Sequence, residues 1–74
     1  MNYLVSLYKD DRTQRIEGMA GVYRKYRLVN ELWVTADTAF DAAIKAGARN
    51  FDAASVQGNP REHASVFKKI DGTL

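Results

Sequence analysis

The period of apolar positions changes most clearly between residues 32 and 47. Trp33, Val34 and Thr35 suit a pleated, half-buried strand. Phe40, Ala43, Ile44 and Gly47 then fall three and four apart, on one helical face. The junction carries its own start signal. Thr38 can accept the first free helical N–H, and Asp41, three residues on, can reach back in a variant capping box. The Asp41 charge also suits the positive end of the helix dipole. Gly47 is the expected stop, so a helix is predicted over residues 38–47.

The flanking segments read as further elements. Tyr3, Val5 and Leu7 alternate with Leu4, Ser6 and Tyr8; both parities are β-prone, which predicts a strand over residues 2–9. Residues 10–21 carry charge, Gly18 and Gly21 and little periodicity, and read as a connecting loop. Residues 22–35 alternate throughout and predict one strand, bent near Asn30–Glu31 and antiparallel to the first. Asn50–Gln57 reads as a third strand, with a bulge at Ala53–Ala54 that would place Phe51 and Val56 on one side. The last segment has two readings. Asn59, Pro60 and Glu62 form a helix start, and His63, Val66, Phe67 and Ile70 share a helical face, which favours a helix over residues 60–71. Ala64, Val66 and Ile70 also share strand parity. With the helix preferred, the order is ββαβα. It predicts a single α+β domain over residues 1–74, with an antiparallel sheet of about three strands and one or two helices on one face.

Composition narrows the picture. A chain of 74 residues buries about 60% of its unfolded surface and is marginally stable alone. It has no cysteine, so neither disulfides nor thiolate metal sites staple it, as suits a cytoplasmic protein. Met1 leads into Asn2–Leu7 with no basic stretch, and no apolar run reaches bilayer length, so neither a secretory leader nor a membrane partner is expected. The net charge of +2 is too small to argue nucleic-acid binding by itself. The whole excess lies in residues 1–35, where Lys9, Arg12, Arg15, Arg24, Lys25 and Arg27 outnumber four acids.

Catalytic patterns are not apparent. The one histidine, His63, has no carboxylates at ligand spacing around it, and the serines and threonines lack an adjacent base. Gly18–Gly21 does not form a phosphate loop. The expectation is no catalytic, metal or cofactor-binding residue. Binding is the remaining class. On a strand Tyr23, Lys25, Arg27, Val29 and Trp33 share one parity, and Arg12 and Arg15 in the preceding loop can flank them. Tyr, Trp and Arg are common interface anchors, while an aromatic among cations can also stack a base and hold phosphates. Trp33 has two readings, a core residue or a surface anchor. An exposed sheet edge also offers pairing to a partner or to a second copy, making a homodimer.

The run Trp33–Ala43, the helix after it and Asn50–Val56 resemble small bacteriophage host-takeover proteins, of the RNA polymerase inhibitor and anti-CRISPR type. The resemblance implies a phage-encoded, non-enzymatic protein acting in the host cytoplasm. It would bind and sterically inhibit a host protein or nucleoprotein complex, such as a CRISPR–Cas effector or RNA polymerase. The alternative is a nucleic-acid-binding module using the same basic-aromatic strand.

Overall fold

Two long strands form the frame of the molecule: β1 (Asn2–Gln14) and β2 (Tyr23–Thr35) pair antiparallel. The computed structural model describes residues 1–14, 23–58 and 63–74, and of these it leaves aside the side chains of 12–14, 23 and 24. A helix, α1 (Ala39–Lys45), and a single 3₁₀ turn, Ala48–Asn50, follow β2. The chain then returns as β3 (Ala53–Gly58), antiparallel to β1, and ends with β4 (Ser65–Lys68), antiparallel to β3. The sheet order is β2-β1-β3-β4, which makes β2 and β4 its edges.

Residues directly opposite in an antiparallel ladder share a face. Val5 lies between Leu32 and Val56, and Leu7 between Asn30 and Ala54. This face takes the helix. Val5, Leu7 and Val56 are its largest fully buried side chains, and Ala42, Ala43, Ala48 and Ala54 complete the core with Tyr3 and Ala36. Alanine on both the helix and β3 lets the two backbones approach closely. Phe40 of α1 meets Phe67 of β4 edge to face, with ring centroids 5.5 Å apart, which closes the far side of this layer.

Two of the local signals around α1 act as the sequence predicts, while the Asp41 carboxylate makes no return bond to the Thr38 N–H. Thr38 is extended at φ −133° and its hydroxyl accepts the Asp41 N–H at 3.1 Å. Gly47 stands at φ 86°, the left-handed conformation that favours glycine. Its N–H donates to the Ile44 carbonyl at 3.0 Å.

Four expectations are corrected. β1 runs on to Gln14, because Asp10–Gln14 keep pairing with β2 rather than opening into a loop. β3 begins at Ala53, and its pairing with β1 runs without a shift from Tyr8↔Ala53 to Tyr3↔Gly58, so it contains no bulge. The sheet has four strands, not three. The fourth lies in the segment expected to be the second helix, so the order is ββαββ. Ser65–Lys68 pair with Ala53–Val56, which satisfies the outer edge of β3. A helix of that length is marginal without packing, whereas Val66 and Phe67 suit a strand and a ladder was waiting for them. Asn59, Pro60 and Glu62, which argued for a helix, lie outside the described residues, as do Gly18 and Gly21.

Candidate functional site

The other face of the sheet carries no helix. Along it stand Leu4, Ser6 and Tyr8 of β1, Trp33 and Glu31 of β2, Ser55 of β3 and Val66 of β4, by the same register rule. Trp33 is 62% exposed, Val66 52% and Leu28 50%, values that place three large apolar groups in solvent. Trp33 is therefore a surface residue, and the core reading of it fails. Its strand neighbours Leu32 and Val34 pack against the core instead.

One residue divides this face from the basic segment. Leu7 pairs with Asn30 and Tyr8 with Leu28, which leaves Val29 as an extra residue on β2. Such a bulge reverses which parity faces which side. Above it Trp33 and Glu31 face the open side. Below it the open side receives Leu28 and Tyr26, opposite Tyr8 and Asp10, while Arg27 pairs with Lys9 on the helix side and Lys25 follows it there. The expected single row is thus split: Trp33 on the open face, Lys25 and Arg27 on the opposite one, Val29 exposed at the bulge between them. Tyr23 pairs with Gln14, and Arg12 with Lys25, in the ladder. Their side chains lie outside the description, and Arg15 lies outside the described residues altogether.

The helix-side cations have a neighbour the sequence did not single out. The Lys9 ammonium donates to the Asn50 carbonyl at 2.8 Å and lies 5.4 Å from the Phe51 ring centroid. Lys25 and Arg27 are exposed, without a hydrogen-bonding or ionic partner among the described residues.

The open face holds a shallow cavity of about 280 Å³, lined by Tyr8, Tyr26, Ala53, Ser55, Val66 and Lys68. The Lys68 ammonium stands 5.6 Å from the Tyr26 ring centroid and forms one wall. Tyr8, Tyr26, Val66 and Lys68 were missed as site residues. Tyr8 sits in a strand whose two parities are both β-prone, Tyr26 in one whose parity the bulge reverses, and the last two in a segment that reads as helix. Shape and chemistry here suit an apolar or aromatic side chain: the floor is alanine and tyrosine, and the rim carries one cation.

His63 is exposed just before β4. Among the described residues, no three histidine, aspartate or glutamate side chains come together in a way that could hold a metal ion. No helix among them is long and apolar enough to cross a membrane.

No protein-family model fits its sequence, and neither curated proteins nor solved structures return a match. The surface itself must carry the functional argument.

Proposed function

We propose that this chain is a non-catalytic binding protein that attaches to a protein partner through the open face of its sheet and inhibits that partner by covering it. The observation that carries this reading is the uncovered face of the sheet, where Trp33, Leu28 and Val66 stand in solvent and Val66 lines the Tyr8–Tyr26 cavity. Contiguous exposed apolar area rimmed by polar groups marks interaction surfaces. Tryptophan and tyrosine, both present on this face, are residue types that dominate binding energy at protein interfaces. The resemblance to phage host-takeover proteins supplies the class of target, a host protein or nucleoprotein complex such as RNA polymerase or a CRISPR–Cas effector.

The test is affinity capture from bacterial lysate with the tagged chain, with and without nuclease, repeated with Trp33→Ala and Val66→Ala. A discrete protein recovered after nuclease treatment, and lost with either substitution, supports the proposal. Capture that disappears with nuclease sends the function to the nucleic-acid reading. A protein captured equally well by both variants removes the open face from the argument.

A further inference from the structure

The backbone edge of β2 offers more than its side chains. In β1 the odd residues bond toward β2, as the Met1–Ala36 pair at the end of the ladder shows: Ala36 N–H donates to the Met1 carbonyl at 3.0 Å and the Met1 amine to the Ala36 carbonyl at 3.1 Å. The even residues bond toward β3, as the Asp52 N–H to Tyr8 carbonyl contact of 2.9 Å and the Asp10 N–H to Asp52 carboxylate contact of 2.7 Å show. Up to Asp10, beyond which Asp11 is an extra residue on β1 and reverses the count, the β2 residues opposite even positions therefore turn their own N–H and C=O groups outward. These are Tyr26, Leu28, Glu31, Trp33 and Thr35.

The upper part of this edge is plugged. The Glu31 N–H donates to the Asn30 side-chain carbonyl at 2.9 Å, and the Thr35 carbonyl accepts the Lys45 ammonium at 3.2 Å, with Trp33 between them. The opposite edge of the sheet is plugged at Lys68. The Lys68 N–H donates to the Thr73 hydroxyl at 2.8 Å, and the Lys68 carbonyl accepts the Thr73 N–H at 3.2 Å. Side chains and turns placed on edge groups are how proteins keep strands from pairing by accident. Tyr26 and Leu28 are the consecutive outward residues of β2 that have no such plug among the described residues. Their side chains face the open side, and those of Lys25 and Arg27 face the helix side.

We propose that residues 25–29 of β2 accept an added strand from a partner protein, and that the strand is an extended segment of alternating acidic and apolar residues. The alternation follows from the pleat. Residues of the incoming strand beside Tyr26 and Leu28 lie along the open face and continue its apolar surface. Residues beside Lys25 and Arg27 lie on the helix side and meet two exposed cations. A second copy of β2 is a poor occupant, because antiparallel pairing centred on Tyr26 sets Lys25 against Arg27 of the other copy, and like charges opposite each other destabilise a ladder. This inference rests on the protein-binding reading above and gives the partner's chemistry.

The test uses the full chain and a fluorescently labelled peptide of alternating glutamate and valine, with a control of the same composition whose glutamates form one block. Anisotropy gives the affinity, and amide shifts locate the peptide. The alternating peptide is expected to bind more tightly than the block control and to shift the Tyr26 and Leu28 amides. Leu28→Pro removes an outward N–H that the β1 ladder does not use and is expected to weaken binding roughly tenfold, the cost of about one hydrogen bond. The double variant Lys25→Glu/Arg27→Glu keeps the edge and is expected to reverse the preference, toward a peptide of alternating lysine and valine. Equal binding of the two glutamate peptides, no binding of either, or an unreversed preference overturns the proposal. So does a single-stranded oligonucleotide that shifts the same amides with the peptide inert, or a dimer of the chain that Leu28→Pro dissolves. Lysate capture that depends on Trp33 but not on Leu28→Pro leaves the open face standing and removes only the added strand. Peptide binding without any captured protein does the reverse.

Discussion

The two faces of this sheet are made by the same strands and do opposite work. On the helix side, Val5, Leu7 and Val56 lose essentially all contact with solvent beneath α1. On the other, Trp33, Leu28 and Val66 keep half or more of their surface in water. On the proposed function, the contrast separates stability from binding. A small domain needs one dry layer, and this one draws it from a few aliphatic residues and several alanines. The second face is left free to change without loss of the fold.

The comparison breaks most directly by truncating one residue on each side. Leu7→Ala empties a fully buried site and is expected to cost about 2–5 kcal/mol, enough to unfold much of a marginal domain in urea denaturation. Trp33→Ala, a larger truncation, is expected to change stability by less than about 0.5–1 kcal/mol, since its side chain is mostly exposed. Equal losses would show that the open face also holds the fold. Next in size, Ala43→Leu forces extra volume between α1 and the sheet and is expected to cost about 1–3 kcal/mol, read from the same urea curves. It tests whether the small residues set the helix–sheet spacing. Thr38→Ala removes the N-cap acceptor of the Asp41 N–H and is expected to cost about 1 kcal/mol, seen as a lowered urea midpoint with an unchanged slope.

The smallest effect lies at the β4 edge. The Asp71 carboxylate is held below its ordinary pKa by the Thr73 hydroxyl, which donates to it at 2.6 Å, and by the Thr73 N–H at 3.1 Å. A depressed carboxylate contributes its stability above its unfolded pKa and loses it as pH falls through the lower folded value. The turn that plugs Lys68 is therefore expected to hold at neutral pH and loosen only in acid below the normal aspartate range. The Thr73 amide shift followed through an acid titration checks this, and Asp71→Asn is expected to flatten the transition.

Much of the fold is legible in the chain because its signals are local. Thr38 and Asp41 sit three apart and Gly47 follows the last periodic residue, so the start and stop of α1 are written in adjacent residues. The alternation of residues 22–35 marks β2 nearly to its ends. The candidate site was harder to read. Tyr23, Lys25, Arg27, Val29 and Trp33 share sequence parity, but parity equals a shared face only in an unbroken ladder. Whether Val29 is paired depends on how many residues β1 places opposite, and β2 alone does not hold that number. Tyr26 and Leu28, of the other parity, reach the open face for the same reason. Local cap signals favour a helix for Val66 and Lys68, while the free edge of β3, the strand just before them, favours a strand.

By itself, then, the sequence determined the strand-to-helix junction, the two long antiparallel strands and the α+β class, since each rests on propensity, period and caps within a few residues. Tertiary structure decided that Trp33 faces solvent, that the cations lie on the opposite side from it, that the chain ends in an edge strand, and which edge groups remain open. Each of those depends on pairing between segments rather than on signals within one, where a single unpaired residue turns a strand over and a vacant ladder outweighs a local preference.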